Sequence, residues 1–172
     1  MNKSEMKELR KKFWKALRQK FRESDTQLKP GGTKNDPRLL FKLGVKETNQ
    51  PAQQNIGIVW SDDGMSFHFV VMFFGQRKYP STKGKYYPGY SREWFCYFQG
   101  KLDLINGQLR HNVEWVNHMP IEIGLRTKDF DAQIWEKDSW SHHIDEMKNV
   151  AEELHNAFDK DAAKFELYHL RR

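Results

Sequence analysis

A chain of 172 residues with 14% aromatics, 30% charged residues and a formal charge of +6 carries enough apolar material for one folded domain and is not the composition of a disordered chain. No apolar run approaches the roughly 20 residues that span a bilayer. The charged start MNKSEMKELRKKFW lacks the apolar stretch of a secretory leader, so a cytoplasmic protein with no membrane partner is expected. Cys96 is the only cysteine, which excludes an internal disulfide and a multi-cysteine zinc site and suits a reducing compartment.

Taken in chain order, residues 4–23 have the period of an amphipathic helix, with Met6, Leu9, Phe13, Leu17 and Phe21 on one stripe, Ser4 as N-cap, and Glu5 and Glu8 at the positive end of the helix dipole. The turn-rich stretch 24–37 ends it. Residues 38–45 alternate as a strand, with Leu39, Phe41, Leu43 and Val45 on one face, and 46–54 read as a polar loop. Asp63-Gly64 predicts a hairpin turn within 55–74, which sets Trp60 opposite Phe67, Ile58 opposite Phe69 and Ile56 opposite Val71. Asn106-Gly107 predicts a second hairpin, with Leu104 facing Leu109, Leu102 facing His111, Phe98 facing Trp115, and Asp103 meeting Arg110 on the other side. Ile121, Ile123 and Leu125 alternate as a further strand, and 130–135 read as a last one. Residues 138–168 read as a long closing helix, with Ile144, Met147, Ala151, Leu154, Phe158, Ala162 and Phe165 on its apolar stripe and Asp138 as its N-cap. The expected architecture is a single two-layer α+β domain over 1–172. Its antiparallel sheet of about five to seven strands, within 38–135, carries the two terminal helices on one face.

Charge is unevenly placed. Residues 1–23 hold nine Lys/Arg against three Glu, whereas 129–166 hold eleven acids against four bases. The segment 76–92 has an unusual composition: Arg77, Lys78, Lys83, Lys85 and Arg92 are interleaved with Tyr79, Tyr86, Tyr87 and Tyr90, four of the six tyrosines. Its Pro80, Gly84, Pro88 and Gly89 argue for a long loop between strands, and such loops are disproportionately functional. Cations that neutralise phosphates and rings that stack on unpaired bases suit a nucleic acid. The same residue types dominate protein-binding hot spots. The bland alternative is a solvated connection whose tyrosines fold back onto the sheet. The first helix is the second candidate, since Lys11, Lys15 and Arg18, with Lys7, Arg10, Lys12, Lys20 and Arg22, surround its apolar stripe. Simple complementarity with the acidic closing helix is the competing and favoured explanation for those charges.

Catalytic signals are weak. The chain has no GxGxxG, P-loop, GxSxG or HExxH motif. Cys96, alternating with Trp94 and Phe98, is expected to be a buried, inert thiol. His142, His143 and Glu146 lack an evident third metal ligand, and His68 and His111 read as satisfied strand histidines. The carboxylates Asp103, Glu114 and Glu122 are not followed by the acid-x-Lys pattern of restriction-type nucleases, and Glu136-Lys137 would point to opposite faces. No catalytic residue, metal or cofactor is implied.

Residues 4–17 (SEMKELRKKFWKAL) and 138–158 (DSWSHHIDEMKNVAEELHNAF) resemble the opening and closing helices of an uncharacterised bacterial domain family found alone or behind restriction-endonuclease-like domains. Leu9-Arg10, Phe13-Trp14, Asp138 and Trp140 carry the likeness, which covers about a fifth of the chain. The resemblance implies an α+β domain associated with DNA metabolism or phage defence and supplies no catalytic residues. The leading expectation is thus a non-enzymatic module that binds nucleic acid or an acidic protein through Arg77–Arg92, helped by the first helix. The alternatives are a phage- or mobile-element-encoded inhibitor acting on a protein partner, and a divergent Mg²⁺-dependent nuclease.

Overall fold

The computed structural model describes residues 2–31, 38–44, 53–60, 66–74, 88–119, 122–131 and 134–165. Helix α1 (Lys3–Glu23) starts one residue earlier than its periodicity suggests because Asn2, not Ser4, is the N-cap. The Asn2 side chain accepts from the Ser4 and Glu5 amides, and the Glu5 carboxylate accepts from the Asn2 amide at 2.8 Å, a reciprocal capping box. The strands are β1 (Arg38–Leu43), β2 (Gln53–Trp60), β3 (Ser66–Phe74), β4 (Val113–Met119), β5 (Glu122–Thr127) and the two-residue β6 (Phe130–Asp131). They form one antiparallel sheet in the order β1-β2-β3-β5-β4, with β6 pairing the start of β3.

The β2–β3 register is the expected one, with Trp60 opposite Phe67, Ile58 opposite Phe69 and Ile56 opposite Val71. Period-2 alternation then sends Leu39, Phe41, Leu43, Ile56, Ile58, Phe67, Phe69, Val71, Phe73 and Leu125 to one face, all essentially sealed from solvent. That face receives every described helix: Phe13, Leu17 and Phe21 from α1, Trp94 and Phe98 from α2 (Pro88–Gln99), Ile105 from α3 (Leu102–Asn106), and the long apolar stripe of α4 (Trp140–Phe165). Aromatic rings join sheet to helices, as between Phe21 and Phe41 (centroids 4.6 Å apart) and Phe73 and Trp94 (5.7 Å), and helix to helix, as between Phe98 and Phe158 (5.7 Å). Each such buried side chain contributes about 1.5–3 kcal/mol. On the opposite face Leu40, Val70 and Met72 close over Gly57, where a Cβ would lie 2.9–3.1 Å from their side chains.

Four expectations fail. The predicted second hairpin does not exist, because Trp94–Phe98 lies on α2 and Asn106-Gly107 ends α3. Gly107 has φ −63°, whereas a two-residue type I′ turn needs positive φ there. Asp103 therefore does not meet Arg110, which instead pairs with Glu153 of α4 at 3.0 Å. Among the described residues of 130–135, Phe130–Asp131 form the two-residue β6 and Ile134-Trp135 form a turn. The stretch given to a polar loop includes the first residues of β2, and Gln54 is wholly buried. Asp138 lies inside a 3₁₀ turn (Lys137–Ser139) that leads into α4, which begins at Trp140 rather than capping on Asp138.

Candidate nucleic-acid interface

Of the residues proposed to bind through the Lys/Arg/Tyr segment, Arg77, Lys78, Tyr79, Lys83, Lys85, Tyr86 and Tyr87 lie outside the described residues. The remainder is not loop. Pro88 opens α2, a position that suits proline because the first helical N–H needs no intrahelical acceptor, so Tyr90 and Arg92 stand on a helix. Arg92 is exposed there. The segment therefore joins a strand to a helix, not two strands. Cys96 is exposed on α2 rather than buried, since helical spacing puts Trp94 and Phe98 together and turns Cys96 away.

On α1 the sequence's basic surround resolves into three kinds of residue. Arg18 is 9% exposed and so is not a surface cation, although it was expected to be one. Arg10 is half-buried, its guanidinium 5.9 Å from the Trp60 ring centroid. Lys7, Lys11, Lys12, Lys15 and Arg22 are exposed. Lys11 binds Glu8 at 2.6 Å, and the hydrogen bond and charge of Lys11 hold the Glu8 carboxyl below its usual range. Lys7, Lys12, Lys15 and Arg22 make no salt bridge with any described residue. Positions 7, 11, 15 and 22 fall on one side of the helix, and at 1.5 Å per residue the row is about 22 Å long.

Helix α4 does not neutralise this row. Most of its acids are held elsewhere: Glu152 by Lys148 (3.0 Å), Glu153 by Arg110 (3.0 Å), and Asp161 by Lys101 (2.9 Å), while Asp159 accepts from the Gly44 amide at 2.9 Å; Glu146 is exposed and makes no salt bridge with any described residue. Among the described residues one bridge joins the two helices, Lys20 to Asp145 at 2.7 Å, across half-exposed side chains. Charge complementarity between α1 and α4 thus accounts for one cation of the set.

No family model, curated protein or solved structure matches the chain. Its chemistry is read from its own residues.

The titratable clusters elsewhere tie elements together. Asp161 accepts from Lys101 and, at 3.3 Å, from the Tyr97 hydroxyl, while Lys101 sits 4.7 Å from the Tyr97 ring centroid. Burial alone would raise the Asp161 carboxyl, but the Lys101 hydrogen bond and charge outweigh it and hold the group below its usual range. The bond to Asp161 raises Lys101, and burial, followed by the Asp161 charge, raises Tyr97. This triad fastens α2 to α4. His68 in β3 is buried with Nδ1 3.3 Å from Asp129, which also binds Arg126, and His111 lies outside any strand, its ring 4.7 Å from that of Phe130. Among the described residues no three His, Cys, Asp or Glu side chains gather as a metal site. Of the carboxylates weighed for a nuclease, Asp103 is on α3, not on a strand, and Glu114 and Glu122 are on β4 and β5.

Sequence reading also missed Trp135. Among the described residues it is one of two large apolar side chains left exposed, at 43%, and it lines a groove of about 390 Å³ with Glu5, Glu8, Leu9, Lys12 and Lys137. Its neighbour Ile134 is fully buried, and alternation alone had placed both on a strand.

Proposed function

We propose that the protein binds nucleic acid, with the exposed row Lys7, Lys11, Lys15 and Arg22 of α1 and the adjacent Lys12 meeting the phosphate backbone. The observation that supports this most is the row's isolation. Four of its five cations lack a salt-bridge partner among the described residues, and most acids of the helix beside them are taken by other groups. A row of about 22 Å is long enough to meet several successive phosphates of a strand. Arg92, exposed near the start of α2, and the cations and tyrosines of 77–87 extend the same chemistry along the chain. The likeness of residues 4–17 and 138–158 to a domain family linked to DNA metabolism points the same way.

The test is the affinity for labelled single- and double-stranded DNA and RNA over a range of salt concentrations, with Lys7→Ala/Lys15→Ala/Arg22→Ala as the variant. Binding should weaken steeply with salt, and the variant should flatten the log–log slope by about 2–3, since each lost phosphate contact removes roughly 0.7–0.9. Binding that is absent, or indifferent to salt and to the three substitutions, refutes the reading.

A further inference from the structure

We infer that the groove beside Trp135 receives an unpaired base, making single-stranded nucleic acid the form this protein selects; the inference rests on the binding reading above. The backbone beneath the indole is fixed, because Ile134 is wholly buried and its carbonyl accepts from Trp140 Nε1 at 2.8 Å. The ring itself is 43% exposed, a rigid aromatic surface held out to solvent on a pinned turn. Its groove is open, and its volume of about 390 Å³ lies within the range of small-ligand clefts, ~300–1,000 Å³.

Charge decides the occupant. Of the two carboxylates lining the groove, Glu5 is engaged by the Asn2 amide in the capping box and Glu8 by Lys11. The lining cations Lys12 and Lys137 are exposed and make no salt bridge with any described residue. Glu136 and Asp138 line a second depression that shares Trp135 and Lys137 with the groove and to which α1 contributes nothing. With Lys11 counted beside Glu8, three cations stand against two carboxylates on the α1 side, a net positive charge. Lys12 also neighbours the exposed row, so a strand following that row brings a nucleotide to the indole. Every base has a π-face to stack on such a ring, whereas in a duplex those faces are already covered by neighbouring pairs.

The experiment uses the full chain with labelled oligo(dT) and with the same strand annealed to oligo(dA). Trp135→Ala should weaken single-strand binding about 5- to 150-fold, the equivalent of ~1–3 kcal/mol per stacked base, and leave duplex affinity unchanged, which also verifies that the variant is folded. Trp135→Phe should keep most of the single-strand affinity. Unchanged single-strand binding in Trp135→Ala, or equal weakening of both forms, overturns the inference. So does a polyglutamate peptide that binds as tightly as oligo(dT) and is lost with Trp135, since the groove would then recognise acidic protein. Salt-dependent binding that is lost in Lys7→Ala/Lys15→Ala/Arg22→Ala but untouched by Trp135→Ala removes the stacking site and keeps the phosphate row. No binding in the parent protein removes both.

Discussion

Substitution of Gln54 by leucine tests whether a buried polar tie organises this fold. Strand periodicity places Gln54 with Ile56 and Ile58 on the face that receives the helices, opposite Phe73, and its side chain has no solvent exposure. Its amide accepts from Trp94 Nε1 of α2 at 2.8 Å and donates to the Ala162 carbonyl of α4 at 2.9 Å, so one side chain links β2 to two helices. Leucine nearly preserves the volume and recovers the cost of burying an amide. It leaves Trp94 Nε1, on a residue with no exposure, facing a hydrocarbon. An unsatisfied buried donor costs about 1–3 kcal/mol, and the weakened Ala162 contact adds to it. The expected net loss is about 2 kcal/mol, or a fall in Tm of roughly 4–8 °C for a chain of this size. Urea unfolding followed by far-ultraviolet circular dichroism measures it. Trp94→Phe in the Gln54→Leu background should cost less than in the parent, because the donor it deletes no longer has an acceptor. A Gln54→Leu protein as stable as the parent, or additive losses in the double variant, would show that the indole–amide bond contributes nothing.

Other tests address single links. Asn106→Ala removes the side-chain amide that both accepts from the Val113 amide (2.9 Å) and donates to its carbonyl (3.1 Å); about 1–2 kcal/mol should be lost, with faster hydrogen exchange at Val113. Asp161→Asn should cost about 0.5–1 kcal/mol at neutral pH, since its partner Lys101 is one-third exposed. The folded Asp161 carboxyl titrates below its unfolded value, so its contribution is complete above the unfolded pKa and disappears as pH falls through the folded one. The difference between variant and parent should therefore narrow as pH falls below the ordinary carboxylate range, as unfolding curves at several pH values will show. Cys96, exposed on α2, should react with a thiol reagent in the folded protein nearly as fast as in urea; a reaction that waits for unfolding would place it inside.

The parts of this fold that were legible in the sequence are those where one period alone fits. In 55–74 every residue of one face is large and apolar, and a one-residue slip would turn them all to the other side, so the register of β2 on β3 follows from pattern. In 94–98 two periods fit. Trp94 and Phe98 share a face in a strand and in a helix alike, and the residue that separates the two is Cys96, whose small apolar side chain is at home on either. The Asn106-Gly107 pair is similarly double-valued, as a hairpin tip or as a helix end. Both ambiguities resolved toward helix because Trp94, Phe98 and Ile105 all have a place in the single aromatic layer between sheet and α4, a long-range fact that no local window contains.

The interface was half legible for a related reason. Composition identified α1 as basic but not which of its cations face water, because arginine's hydrocarbon stem and planar head suit half-buried positions. Arg10 against Trp60 and Arg18 in the interior are there as much for their bodies as for their charge. The sequence-level balance of a basic first helix and an acidic last one suggested mutual neutralisation, yet neutralisation is a matter of distance, not of totals. Most α4 acids reach Arg110, Lys101 and the Gly44 amide, which belong to segments folded against α4, or Lys148 one turn along α4 itself. The same packing that engages most acids of α4 leaves the outer row of α1 without a salt bridge to them. If the phosphate row is genuine, adding acids there should abolish binding without loosening the fold: Lys15→Glu and Arg22→Glu touch no described partner, so Tm should hold within about 2 °C while affinity falls. A Tm that collapses instead would mean those side chains serve the fold, and that the open row is not open.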